Sequence, residues 1–312
     1  MTDAIVATGL RKTFGKTVAL DGVSFAAPRG TVFALLGPNG SGKTTLVQLL
    51  STLRLPDSGS ARVLGHDLRA APAEVRAGIG VTGQFAAVDS MLTGEENLLL
   101  MAKLGHLSRT EGRARARRLL QRFDLADAAA RPPSAYSGGM RRRLDIAMTL
   151  MGDPALIFLD EPTTGLDPRS RQTMWQIVRE LVAEGVTVFL TTQYLQEADE
   201  LAERVAVLDH GRIVAAGTPA ELKQRVPGAH LTLRFATPAD LRTAALALAG
   251  STSDEDALTL RVPMTDGGGA IKRVLDRIPD RVDVEDVTVH TPDLDDVFFA
   301  FTTTAADLGR TR

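Results

Sequence analysis

The stretch Gly37 to Thr44, "GPNGSGKT", combines three features that serve one chemistry. Its glycines let backbone N–H groups curl around phosphate oxygens. Lys43 carries a cation to the β- and γ-phosphates of a nucleotide, and Thr44 offers a hydroxyl to magnesium. A second stretch, "ALIFLDEP", ends an apolar run on Asp160 and Glu161. Adjacent carboxylates at the end of a buried strand are costly unless they are used. Asp160 suits a magnesium shell, and Glu161 is placed to polarise a water at the γ-phosphate; a helix-capping acid pair is the structural alternative. In "YSGGM", Ser137, Gly138 and Gly139 precede a helical stripe of Leu144, Ala147, Met148 and Met151. They form either a turn with its cap or an anion site at a helix N-terminus. Gln193 stands at the tip of another strand-like run, "VTVFLTTQ". It is either a polar strand end or a donor aimed at the same phosphate.

These residues need elements to hold them. "TVFALL" before the glycine-rich loop reads as a buried strand, and "TLVQLLSTLR" after it reads as a helix. Strand-like runs recur at 155–159, 186–190 and 204–208, with helical patterns around 170–183 and 194–202. Such alternation predicts an α/β domain with a mostly parallel sheet and helices on its faces. Residues 95–126 read as helices, and a helical subdomain is expected over about 90–150. The arginines at 109, 113, 115, 117, 118 and 122 fit a solvated helix face, with nucleic-acid or lipid-headgroup contact as the alternatives. Pro227 and Gly228 interrupt the pattern, so a boundary is expected there, separating residues 1–225 from a domain over 226–312. That domain reads as βαβαβα in a small α+β fold. Thr237 and Pro238 open one of its helices, and "DLDDVFFAF" forms the last.

The composition narrows the class. With 44% apolar residues but only 4% aromatic, the core must be aliphatic. The net charge of −2 argues against a dedicated nucleic-acid binder. The chain has no cysteine, so disulfides, thiol catalysis and cysteine-ligated zinc are excluded. No signal-peptide pattern follows Met1, and no apolar stretch is long enough to span a bilayer. The expectation is a cytoplasmic protein, peripheral to a membrane.

In the order of its motifs from residue 10 to about 220, the chain resembles the nucleotide-binding subunit of an ABC transporter. The loop matches Walker A, and "LIFLDE" matches Walker B with its following glutamate. "YSGGM" is similar to the LSGGQ signature, departing from it at Tyr136 and Met140. "TTGLDP" (163–168) resembles the D-loop, and Gln84 in "VTGQF" the Q-loop. The family's adenine-stacking aromatic is matched by Phe14, and its usual strand-tip histidine is replaced by Gln193. Together with the tail "DLDDVFFAFT", these motifs look like those of the daunorubicin-resistance type of drug exporter ATPase.

That resemblance implies a P-loop NTPase fold and a set of roles. ATP would be bound by Phe14, Val18, Gly37, Pro38, Asn39, Gly40, Ser41, Gly42, Lys43, Thr44, Thr45, Gln84 and Asp160, with magnesium on Thr44, Gln84 and Asp160. Glu161 would be the catalytic base and Gln193 would orient phosphate and water. The family further implies an ATP-dependent head-to-tail homodimer. In it Ser137, Gly138 and Gly139 would cap the partner's ATP and Asp167 would bridge the halves. A separate polytopic membrane subunit would carry the substrate, the ATPase sitting on the inner face of the membrane. No nucleic acid is expected as a partner, since the span from Gln84 to Ser137 leaves no room for the long insertions of repair-type members. A soluble nucleic-acid or translation ATPase and an importer ATPase are the competing readings.

Overall fold

A computed structural model describes residues 3–83, 87–226, 229–264, 269–290 and 292–308. The chain divides into two compact units, Met1–Pro219 and Ala220–Arg312.

The first unit opens on β1 (Asp3–Phe14) and β2 (Thr17–Pro28), an antiparallel pair. With β4 (Ser58–Val63) and β5 (His66–Asp67) they form a four-stranded sheet in the order β2-β1-β4-β5. The second sheet holds β3 (Val32–Leu36), β6 (Ile79–Thr82), β7 (Leu156–Asp160), β8 (Thr187–Thr192), β9 (Arg204–Asp209) and β10 (Arg212–Gly217). Its order is β10-β9-β3-β8-β7-β6, and every pairing is parallel except that of β10 with β9. β3, β7 and β8 are buried along their whole length, as their unbroken apolar runs predict for central strands covered on both faces. The parallel sheet is therefore as expected. The antiparallel sheet and β10 are additions that the apolar runs did not announce.

One core joins the two sheets. Leu10, Leu20, Phe33, Leu46, Leu50, Phe158 and Phe189 belong to it, and Phe25, Phe33, Phe189 and Phe158 follow one another at centroid distances of 5.0–5.8 Å. In this core sits α1 (Lys43–Leu50), and α2 (Pro72–Gly78) adds Val75 to it. The predicted helical region contains α3 (Gly94–Leu104), α4 (Arg109–Arg122) and α5 (Gly138–Thr149). A reciprocal capping box between Thr93 and Glu96 starts α3, and Ser108 caps α4. On α4, Arg115 donates to Met151 O at 2.9 Å and Arg122 pairs with Glu184 at 2.9 Å. Next come α6 (Pro168–Ala183), with Asp167 as N-cap and a buried face of Met174, Trp175, Val178 and Leu181, and then α7 (Leu195–Leu201); α8 (Pro219–Gln224) starts at the last residue of this unit and runs into the second.

The second unit contains β11 (His230–Phe235), α9 (Pro238–Ala247), β12 (Thr252–Asp254), β13 (Thr259–Pro263), α10 (Gly269–Leu275), β14 (Val284–His290) and α11 (Leu294–Leu308). Its antiparallel sheet runs β12-β13-β11-β14 over its own core, which includes Leu231, Leu233, Phe235, Leu241 and Leu260. The short β12 is one strand more than the six elements expected. Thr237 caps α9, its hydroxyl accepting from Asp240 N at 3.2 Å. Pro227 and Gly228 lie outside the described residues.

Candidate active site

β3 lies between β8 and β9, so the loop leaving its end is built against both neighbours. Gly37 N donates to Thr192 O at 3.3 Å. A Cβ on Gly37 would come within 2.3 Å of Leu208 O, so no larger residue fits where the loop crosses the sheet. Gly40 and Gly42 have φ of 81° and 111°, the left-handed region that glycine adopts without penalty. The loop so formed leads into α1, whose N-cap Gly42 offers no side-chain cap. The N–H groups of the first turn are thus left without a side-chain cap, as at a helix start that binds an anion. Ser41 Oγ is buried with no partner, an orphaned hydroxyl in the same loop. Lys43 Nζ bonds Gly37 O at 2.8 Å and Pro38 O at 3.1 Å, and pairs with Glu161 Oε1 at 3.2 Å.

Asp160 ends β7 opposite Thr191 of β8. Its Oδ1 accepts from Thr191 Oγ1, and its Oδ2 accepts from Thr44 Oγ1 at 3.0 Å. A hydroxyl and a buried carboxylate at a helix N-terminus are hard oxygen donors of the kind magnesium takes, so these residues fit that ion. Glu161 follows with φ 50°, a left-handed conformation rare for a side chain of its size. Its N–H is held by Thr191 O at 3.0 Å and Thr191 Oγ1 at 3.1 Å. Gln193, just past the tip of β8, is half-buried. Asn39, Gly40, Glu161, Gln193 and Gly138 all line one cleft of about 640 Å³.

The other predicted residues lie apart from that lining. Phe14 is exposed near the β1–β2 turn, with Arg54 5.1 Å from its ring centroid and Lys12 at 5.7 Å; Val18 is exposed on β2. Ser137 caps α5, accepting from Met140 N at 3.2 Å. Gly139 is buried because Ser170 packs on it: a Cβ would sit 2.7 Å from Ser170 Oγ. Asp167 accepts from Ser170 Oγ at 2.6 Å and Ser170 N at 2.9 Å, and these bonds lower its pKa. Tyr136, the departure from the signature pattern, is a core residue whose hydroxyl donates to Ala128 O at 2.7 Å. Gln84 lies outside the described residues.

Several functional candidates carried no signal in the sequence. Arg142 of α5 is buried and donates to the carbonyls of Gly83, Asp160 and Pro162. Burial pushes its pKa down and that of its partner Asp145 up. Behind Gln193, Glu197 is fully buried; it accepts from Trp175 Nε1 at 3.3 Å, and burial raises its pKa.

Comparison with known proteins gives the family. A model of the ABC transporter family matches residues 20–164. A daunorubicin resistance ATP-binding protein of Streptomyces coeruleorubidus is 48% identical, covering 96% of this chain and 96% of its own. The chain belongs to the ABC transporter family. This ABC ATPase is also 47% identical to a doxorubicin resistance ATP-binding protein of Mycobacterium tuberculosis, over 96% of this chain and 94% of that one. A Nod factor export ATP-binding protein of Ralstonia nicotianae is 41% identical over 71% of this chain and 69% of its own length. Among solved structures, an ATP-binding subunit of an ABC transporter matches with a TM-score of 0.64 at 28% identity, covering 71% of this chain and 92% of its own. The fold is that of a P-loop ABC ATPase domain followed by a small α+β unit. No helix among the described residues is long and apolar enough to cross a membrane.

Proposed function

We propose that this ABC ATPase powers efflux of a drug or other hydrophobic compound through a separate membrane subunit, from the inner face of the cell membrane. The observation that carries this reading is the match to resistance ATP-binding proteins along the whole chain. The Nod factor relative shares only the length of a nucleotide-binding unit. Asp160 and Glu161 at the end of β7, with Lys43 beside them, give the chain the groups for hydrolysis rather than for binding alone.

In this reading ATP stacks its base on Phe14 beside Val18, and its phosphates lie along the backbone from Gly37 to Thr45. Lys43 leaves the carbonyls of Gly37 and Pro38 for the phosphates. Thr44, Asp160 and Gln84 hold magnesium, which when bound offsets phosphate charge. Glu161, released from Lys43, accepts a proton from the attacking water. Gln193 donates its amide N–H to the γ-phosphate, doing without titration what a histidine would do. Two copies close head to tail over two ATP molecules. Ser137, Gly138 and Gly139 of each cap the other's γ-phosphate with the N-terminus of α5, and Asp167 bridges the halves.

The test is transport. Cells expressing the chain together with a polytopic membrane subunit of a drug exporter should expel a fluorescent hydrophobic drug, and Lys43→Ala should abolish the efflux. Equal drug retention with and without the chain would contradict the export reading.

A further inference from the structure

Arg142 stands one turn into α5, yet its guanidinium is occupied on every side. Nε donates to Pro162 O at 3.1 Å, Nη2 to Asp160 O at 3.0 Å, and Nη1 to Gly83 O at 2.8 Å and to Asp145 Oδ2 at 3.1 Å. Asp145, three residues on, uses its other oxygen to accept from Ala87 N at 3.1 Å. Both side chains are more than nine-tenths buried.

The partners fall into two sets. Asp160 O and Pro162 O are the carbonyls on either side of Glu161. That residue has a left-handed backbone, which a non-glycine residue leaves unless its surroundings hold it. Its own N–H is already tied to Thr191, and Arg142 ties the carbonyls of the residues before and after it. Gly83 O and Ala87 N are the second set, so the same ion pair also anchors these two residues.

Stability alone does not account for the pair. Exchanging a buried ion pair for apolar residues of similar volume is often neutral or stabilising, whereas removing one partner is not. Nor does a lysine reproduce it: only the planar fork of arginine reaches three carbonyls and a carboxylate at once.

We infer that Arg142 and Asp145 are positioning residues for hydrolysis, one tether that aims the Glu161 carboxylate and holds Gly83 and Ala87 to the same frame. The inference rests on Glu161 being the general base. It assigns the first turns of α5 a task beyond the signature at their N-terminus: the helix carrying Ser137 and Gly139 also sets the backbone around Glu161.

The experiment uses the full chain and four variants: Arg142→Lys, Asp145→Asn, the apolar exchange Arg142→Met with Asp145→Leu, and Glu161→Gln as a control. Turnover, ATP dissociation constant and thermal midpoint are measured for each. A misaimed reacting group loses about 10²-fold in rate. The exchange should therefore lower kcat by about that factor while ATP affinity and thermal midpoint stay near parental values. Arg142→Lys should lower kcat with the same split, and it decides the matter if the exchange fails to fold. Parental kcat in the exchange, or in Arg142→Lys in that case, overturns the inference. So does a joint fall of kcat, affinity and midpoint, because a general loss of packing rather than a misaimed base predicts that joint loss. Parental turnover in Glu161→Gln would instead overturn the general-base reading. An inactive Glu161→Gln beside a fully active exchange would sink the tether alone.

Discussion

Gln193 offers the sharpest perturbation of the proposed site, since in the proposed mechanism its side chain acts on rate and leaves the binding loop untouched. It stands on the cleft wall with Glu161, Asn39 and Gly40. The residue before it, Thr192, holds the loop through a backbone bond from Gly37, which a side-chain change at 193 does not disturb. In the proposed mechanism, Gln193→Ala removes an amide donor aimed where charge develops on the γ-phosphate. Losing one preorganised donor in a buried site costs about 2.7–4 kcal/mol. Gln193 is half-buried, so the lower end applies, equivalent to about 10²-fold in kcat. ATP affinity should hardly change, since Lys43 and the loop backbone carry it. Gln193→His should restore turnover and add a pH dependence near neutrality from the ring. Gln193→Glu should be slowest, because it sets a negative charge against phosphate. The assay is steady-state ATPase rate against pH for all three variants. Equal rates throughout would refute the donor role and leave Gln193 a polar strand end.

Gly37→Ala should lower both thermal midpoint and ATP affinity, since its Cβ would meet Leu208 O at 2.3 Å and overpacking costs about 1–3 kcal/mol. Tyr136→Phe should cost about 0.5–1.5 kcal/mol in urea unfolding by losing one hydrogen bond, since Ala128 O keeps its bond from Arg131 N at 2.9 Å, with turnover of the folded protein unchanged. Burial holds the Glu197 carboxyl above the ordinary glutamate range, against the bond from Trp175 and the nearby charge of Arg171. The folded chain then keeps a proton that the unfolded chain has lost. Stability should therefore fall as pH rises from the ordinary glutamate range through the raised value, and Glu197→Gln should flatten the thermal midpoint over that window.

What the sequence disclosed follows from how far apart the cooperating atoms are along the chain. The loop from Gly37 to Thr44 and the pair Asp160–Glu161 were legible because neighbouring residues carry one chemistry at a fixed strand end. The central strands were legible because burial on both faces writes an unbroken apolar run. β1 was not, since its pairing with β2 shifts register between Ala7 and Leu10 and again before Arg11, and such bulges break the period of two. Arg142 was hidden for another reason. In "RRRLDIA" it looks like one more solvated arginine, and its partners Gly83, Asp145, Asp160 and Pro162 meet only in the fold. Tyr136 read as an imperfect signature residue, whereas its place is decided by a hydroxyl bond and by Gly94, where a Cβ would come within 2.2 Å of that hydroxyl.

The central claim is that Glu161 is the general base of an ATPase that closes as a dimer over its nucleotide. Single-turnover hydrolysis and sizing chromatography of Glu161→Gln with ATP and magnesium test it directly. The account predicts retained ATP, a stable dimer, and hydrolysis slowed by about 10²–10⁴, the loss expected on removing a general base. A Glu161→Gln protein that stays monomeric and hydrolyses ATP at the parental rate would contradict it.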